Sequence, residues 1–488
     1  MGNILSHLQP QRVWELFEEI CKIPRPSGKE EKILQYLIDF AKKHNLEYTQ
    51  DKVGNLIIRK DAKPGYENLK SVALQSHVDM VCEKNSGVEH DFETDPIRPR
   101  IDGEWVRAEG TTLGADDGIG VAVQLAILES DDIDHGPIEC LFTVEEETGL
   151  AGAFGLEPGF VNSRILLNLD SEDEGELFIG CAGGVDTSCS FTYERVNTEI
   201  DHQAYRISVT GLKGGHSGDD INKGRGNAIK VLNRILWRAA KDFELRLAEI
   251  DGGNLRNAIA REAFATATIP SRNADIFVSQ MEKLAADIKL ELKTNEPALK
   301  INIATVVMPQ CLIDLKTQTK LINALYACPH GVIAMSPDIP GLVETSTNLA
   351  SITMTPTEIL VGTSQRSSVE SGMKDAANMV ASVFSLAGAQ VKSGGGYPGW
   401  KPNMDSEIMA VMKTTYEQLF GKQPKVLAIH AGLECGLIGE KYPGMDMISY
   451  GPTIKNAHSP DEGLLIDTVD MFWKHTLETL KRVESLNR

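Results

Sequence analysis

Residues 72–79 read Val72-Ala73-Leu74-Gln75-Ser76-His77-Val78-Asp79: an apolar run of strand length that ends on two polar groups two positions apart. Residues i and i+2 of a strand share a face, so the run predicts a buried strand whose carboxyl end presents His77 and Asp79 together. Three more short apolar runs, over 55–58, 140–144 and 165–169, alternate with the helix-like segment 119–128. That alternation predicts an α/β domain with a central mixed sheet flanked by helices. Upstream, Val13, Leu16, Phe17 and Ile20 recur at helical spacing until Pro24 and Pro26 stop the helix, and a second periodic run covers 29–42.

From Tyr205 the pattern changes to strand, glycine-rich loop and a helix over 227–241, followed by strands near 264–267 and a helix near 278–290; this reads as a separate α+β unit. The stretch 393–402, dense in glycine and proline, suits a linker or tight turn and marks a boundary. Its Gly394, Gly396 and Gly399 satisfy a dinucleotide-binding spacing, but Pro398 and Pro402 deny the helix opening that such binding needs. Beyond it, helices over 408–419 and 467–486 bracket a strand-like 426–429, as in the first part of the chain. The simplest topology is one α/β domain, residues 1–184 and 398–488, interrupted by an inserted α+β lid over 185–397. No tandem repeat or low-complexity tract stands out.

With 488 residues, 42% hydrophobic and 24% charged, the chain has the composition of a globular protein of two to four domains. Forty-nine basic against sixty-nine acidic residues give a formal charge of −20, which repels phosphate backbones and argues against a nucleic-acid partner. No run of about 18 apolar residues exists to span a membrane. The eight cysteines lack Cys-x-x-Cys spacing and read as reduced thiols of a cytoplasmic protein. The first residues lack a secretory pattern, and Gly2 with Ser6 matches myristoylation only weakly, so an unmodified cytosolic start is expected.

Several polar clusters sit at predicted strand ends or in loops. His77-Val78-Asp79 suits a metal-binding histidine oriented by a carboxylate, though a capped or core histidine has the same signature. Asp116-Asp117 lie among small residues in Thr111-Thr112-Leu113-Gly114-Ala115-Asp116-Asp117-Gly118, a string that also fits a turn or helix cap. Glu145-Glu146-Glu147 end the run begun at Cys140, as an exposed acidic loop would. Asp170 closes another apolar run, and His458 lies in Asn456-Ala457-His458-Ser459-Pro460-Asp461-Glu462. Together they form the nitrogen and oxygen donor set of a pair of zinc-like ions sharing one carboxylate.

In this order, these segments resemble the M20 metallopeptidase family. The strings Gly211-Leu212-Lys213-Gly214-Gly215-His216-Ser217-Gly218, Asn254-Leu255-Arg256-Asn257-Ala258-Ile259 and His430-Ala431-Gly432-Leu433-Glu434-Cys435-Gly436 point, within it, to the aminoacyl-histidine dipeptidases. The likeness spans essentially the whole chain, with one departure: Ala260 stands where the motif usually carries proline. The resemblance implies that His77, Asp116 and Asp170 hold one zinc and Asp116, Glu147 and His458 the other, with cobalt or manganese able to substitute. It implies that Asp79 orients His77 and that the peptide after Asp116 is cis. Gly149 sets the register that makes Glu146 the general base. It places His216, Asn257, Arg366, Gly432 and Glu434 against a small peptide substrate, Arg366 on its carboxylate and Glu434 facing a free α-amino group. A lid that closes and a homodimer formed through it are further implications. The implied activity is hydrolysis of dipeptides with a free amino end, Xaa-His among them. The competing readings are another M20 hydrolase, either an N-acyl amino acid amidase or a tripeptidase, and a non-catalytic member of the fold.

Overall fold

The computed structural model describes residues 4–483; Gly2 and the end of the helix expected to reach Leu486 lie outside them. The chain forms two compact units. One comprises the chain through Gly180, Pro402–Ala428 and the chain from Leu433 onward, and the other Cys181–Lys401 with a short return at Ile429–Gly432.

The first unit is built on an eight-stranded sheet, in the order Glu47–Gln50, Leu56–Lys60, Ile138–Thr143, Val72–His77, Ile165–Asn168, Asp446–Ser449, Glu176–Cys181, Lys425–Ile429. The four inner strands from Ile138–Thr143 to Asp446–Ser449 run parallel, and antiparallel partners flank them, so the sheet is mixed as expected. Parallel strands covered on both faces read as near-continuous apolar runs; Val72–His77, Ile138–Thr143 and Ile165–Asn168 are buried at every position, their polar residues included. Thr143 pairs with His77, and Asn168 with Gln75. The segments that leave these neighbouring strands therefore emerge at one edge, the carboxyl edge where α/β sheets bind ligands.

Helix Gln11–Ile20 buries Val13, Trp14, Leu16, Phe17 and Ile20, each worth about 1.5–3 kcal/mol in transfer from water. Helix Ala115–Glu129 is buried almost all round, as a core helix should be. Its first turn is irregular: Asp116 (φ −81°, ψ 110°) and Asp117 (φ −106°, ψ 37°) are not helical, and the peptide between them is cis. A Cβ at Gly120 would fall 2.4 Å from Asp117 Oδ1 and 2.5 Å from Ser76 Oγ, so glycine leaves room for the Asp117 carboxylate to fold back against the helix. A four-stranded sheet, ordered Ile454–Lys455, Gly463–Leu465, Trp105–Ala108, Pro99–Asp102, joins the segment leading to Asp116 to the loop carrying His458.

The second unit holds a nine-stranded antiparallel sheet whose order repeats one pattern from both edges. Strands His202–Thr210, Arg246–Gly253, Ala263–Pro270 and Lys300–Thr305, with helices Ala228–Phe243 and Ala274–Leu292, make one βαββαβ half. Gly183–Thr192, Val343–Met354, Glu358–Ser367 and Gln390–Tyr397, with helices Leu315–Ala327 and Glu370–Leu386, make the other. The halves meet where Gly252 and Gly253 pair with Ile352 and Ser351, and Gly331–Met335 adds a strand beside Val343–Met354. The first half is inserted into the second, which is why no tandem repeat is visible along the chain. Ile235, Phe277, Leu321 and Phe384, one from each helix, share a single core.

Of the glycine-rich stretch 393–402 read as a linker or tight turn, the part up to Tyr397 is the end of the edge strand Gln390–Tyr397, paired with Gly183–Thr192 and shifted in register between Gly394 and Tyr397, and the division between the two units falls after Lys401. An edge position tolerates glycine and a bulge that a central strand would not.

Candidate metal centre

The sheet edge gathers the clusters that the chain keeps far apart. His77 ends its strand fully buried, with Nε2 3.0 Å from Asp116 Oδ1 and 3.6 Å from Asp170 Oδ1. His458, 342 positions after Asp116, brings its Nε2 within 3.1 Å of Asp116 Oδ2 and 3.0 Å of Glu147 Oε2. The two oxygens of Asp116 thus face different histidines. Two donor groups result, His77 with Asp116 and Asp170, and Asp116 with Glu147 and His458; a third, overlapping set is His77 with Glu146 and Glu147. Imidazole nitrogens with carboxylate oxygens are a donor set that suits zinc and its divalent neighbours. The fit is supported by Glu147 Oε1, which is buried and has no hydrogen-bond partner, an orphan that a cation would satisfy.

Asp79 does more than the sequence suggested. Its Oδ1 lies 3.3 Å from His77 Nδ1 and accepts the Glu146 amide at 3.0 Å, while Oδ2 accepts Ser27 Oγ–H at 2.8 Å and the Glu147 amide at 3.2 Å. One buried carboxylate therefore fixes both His77 and the backbone of the acidic pair. Burial works against its charge, but His77, Ser27 and the Glu146 amide outweigh it and hold the Asp79 carboxyl below the usual range.

The crowded carboxylates perturb one another. Burial, reinforced by Glu434, Glu147 and Asp116 and partly offset by His77, pushes Glu146 up to about 8. Burial also opposes charge on His77, yet Asp170, Asp116 and Asp79 raise its ring well above the ordinary value. Glu434 is fully buried: Gln75 Nε2 donates to it at 2.6 Å and Thr143 Oγ1 at 2.7 Å, and burial pushes it up to about 7. Gln75 in turn accepts from Asn168 Nδ2 at 2.6 Å, so this polar network runs beneath the strand ends.

The remaining candidates lie in the second unit and form a cluster of their own. Arg366, 7% exposed, donates Nε to Ser217 Oγ at 3.2 Å and Nη1 to Tyr397 Oη at 3.1 Å. His216 Nδ1 accepts the amides of Gly218 and Asp219 at 3.3 Å each. Asn257 is exposed, and its carbonyl accepts the Ser217 amide at 2.7 Å. A Cβ on Gly432 would fall 2.7 Å from the Tyr397 ring. Ser346 Oγ lies 2.8 Å from His430 Nε2, and burial, helped by Arg366, pushes that ring down to about 4.

Sequence reasoning passed over Arg25, Ser27, Tyr397, His430 and Glu462. Arg25 donates to the carbonyls of Val78 (3.0 Å), Asp79 (2.7 Å) and Gly114, bracing two of the site's loops. Its signal, a lone arginine between Pro24 and Pro26, reads only as a helix stop. His430 and Glu462 lay inside strings already singled out, but in each the neighbouring residues drew the assignment.

A model of Peptidase family M20/M25/M40 matches residues 73–479. The chain belongs to this family. Among M20 proteins it is 44% identical over 479 residues to the cytosol non-specific dipeptidase of Escherichia coli (strain K12), covering 98% of this chain and 99% of that one. The crystal structure of aminoacylhistidine dipeptidase from Vibrio alginolyticus superposes with a TM-score of 0.93 at 47% identity, covering 98% of this chain and 97% of that one. A tripeptidase from Staphylococcus aureus subsp. aureus mu50, at 17% identity and a TM-score of 0.57 over 98% and 99% of the chains, shares the fold. The fold class and the family expected from the motifs both hold for this M20 member. Among the described residues no helix is long and apolar enough to cross a membrane, and none of the eight cysteines is in a disulfide.

Proposed function

We propose that the chain is a dipeptidase that hydrolyses small peptides with a free amino end, Xaa-His among them, using two zinc ions that cobalt or manganese replace in vitro. The observation that carries this reading is the arrangement of Asp116, whose Oδ1 and Oδ2 face His77 and His458 at 3.0 and 3.1 Å within two donor groups that share it. His77, Asp116 and Asp170 would hold one ion and Asp116, Glu147 and His458 the other. When bound, such a pair acidifies water and polarises a peptide carbonyl.

The chain's own side chains do the rest. Glu146, which lies outside the two donor groups that share Asp116, would take a proton from water and return it to the departing amine. Asp79 keeps the His77 ring in one orientation and holds the Glu146 and Glu147 amides in place. Arg366, pre-ordered by Ser217 and Tyr397, offers a planar fork for the substrate carboxylate, and His216 and Asn257 are polar groups of the same cluster. Glu434 takes Gln75 and Thr143 on Oε2 alone and keeps a buried Oε1 with no hydrogen-bond partner, an acceptor suited to the free α-amino group.

The test is a panel of unblocked dipeptides, tripeptides and N-acetyl amino acids assayed with zinc, cobalt and manganese. Turnover of unblocked dipeptides above the other two classes is expected. Turnover confined to N-acetyl amino acids or to tripeptides would replace this reading by an amidase or a tripeptidase, and none with any metal would leave a non-catalytic member of the family.

A further inference from the structure

We infer that Glu462 is a positioning residue that locks the loop carrying His458 to the loop carrying Asp116, and so sets the distance between the two on which the second donor group depends. The inference rests on the metal site proposed above and deepens it. Glu462 lies four positions after His458, is 2% exposed, and accepts three successive backbone amides: Leu113 (2.7 Å) and Gly114 (3.0 Å) on Oε2, and Ala115 (2.8 Å) on Oε1. Three amides converging on one carboxylate form an anion-binding concavity of the kind a left-handed residue creates, and Gly114 supplies it with φ 70° and ψ 33°. Asp116 follows directly after Ala115.

The lock is closed from the other side. Arg25 Nη2 donates to the Gly114 carbonyl, while its Nη1 donates to Val78 and Asp79 in the loop after His77. Every polar group of Gly114 is thus engaged, its amide by Glu462 and its carbonyl by Arg25. Strand pairing supplies the rest of the frame: Gly463, Leu464 and Leu465, which follow Glu462, pair with Arg107, Val106 and Trp105, which precede the Asp116 loop. Pairing fixes the strands but not the loops beyond them; the Arg107 guanidinium donates to the Asp461 carbonyl from its strand, whereas Glu462 reaches the Asp116 loop itself, and His458, half exposed at 52% for its side chain, faces Asp116 and Glu147. Without Glu462 the ladder would persist while the His458 loop and the Asp116 loop moved independently. Burial, with Asp116 nearby, holds the Glu462 carboxyl above its ordinary value, and the three amides offset this in part.

The experiment compares the unmodified protein with Glu462→Gln, which keeps the shape but turns an amide N–H₂ towards backbone N–H groups. Metal-free protein is titrated with Co²⁺, followed by visible absorption and by competition with a chelator. The unmodified protein takes up two ions; in Glu462→Gln one of the two association constants falls about 10- to 100-fold, the range for loss of a group that orients a ligand, and the other changes less than about threefold. Glu462→Asp, which keeps the charge but withdraws it by one methylene, gives an intermediate loss and carries the test if the glutamine variant does not fold. A variant that unfolds at lower temperature yet binds both ions with unchanged constants overturns the inference, as does equal weakening of both. Two-ion binding by an unmodified protein that hydrolyses no peptide would refute the dipeptidase reading and leave this inference standing; uptake of fewer than two ions would overturn both.

Discussion

Replacing Asp79 by asparagine removes one charge and one acceptor from the point where His77 and the acidic pair are held together. The carboxylate takes donors on both oxygens, the Glu146 amide on Oδ1, which also lies 3.3 Å from His77 Nδ1, and Ser27 with the Glu147 amide on Oδ2. An asparagine keeps one oxygen, so in either orientation its N–H₂ meets a backbone N–H that has lost its acceptor. A buried donor left unsatisfied costs about 1–3 kcal/mol, and loss of a partner behind a metal-binding histidine typically weakens metal binding about 10- to 100-fold. If the amide oxygen stays with His77, the Glu147 amide is freed and the His458 donor group loosens; if it turns to Glu147, His77 loses its orientation. Isothermal titration of metal-free Asp79→Asn with Zn²⁺, in competition with a chelator, should therefore show at least one ion bound about 10- to 100-fold more weakly, with dipeptide turnover reduced in step. Two ions bound as tightly as in the unmodified protein would refute the idea that this carboxylate organises both sides of the site.

Arg366→Lys keeps the charge but loses the fork, and should raise KM for a dipeptide about 10-fold or more while changing kcat less, with a smaller effect on the corresponding dipeptide amide; steady-state kinetics on the pair checks this. Gly114→Ala places a Cβ 2.5 Å from Arg25 Nη2 at a φ of 70°, and should weaken cation binding along with stability, read by Co²⁺ titration and thermal unfolding. The buried rings of His330 and His475 are each pushed down to about 4, chiefly by burial. A depressed folded pKa gives stability that is present above the unfolded value near 6.5 and is lost as pH falls through about 4. Each ring has a limiting value of about 3 kcal/mol, so urea unfolding of the metal-free protein should show stability declining from pH 6.5 to 4, and less steeply in His475→Gln.

The strands of the first unit were legible because parallel strands buried on both faces leave apolar runs with polar ends, and His77, Glu147 and Asp170 stand at or just past such ends. Asp116 and His458 were legible only through motif resemblance, since neither follows an apolar strand. What stayed hidden is contact across the chain: nothing near Glu462 announces that its partners are backbone amides 347 to 349 positions earlier. Backbone donors carry no residue identity and so leave no mark on the sequence. The strand Gln390–Tyr397 was hidden for a different reason, because at a sheet edge the glycine content that signals a turn is equally compatible with pairing on one side. The doubled topology of the second unit was masked by the insertion of one half within the other.

The account stands or falls on Glu146→Gln, studied for metal content and turnover in one preparation. It predicts two ions bound per chain, with affinities close to those of the unmodified protein, and dipeptide hydrolysis reduced about 10²- to 10⁴-fold. Loss of an ion with the substitution would make Glu146 a ligand and shift the register to Glu147, and retained turnover would remove the general base on which the proposed chemistry depends.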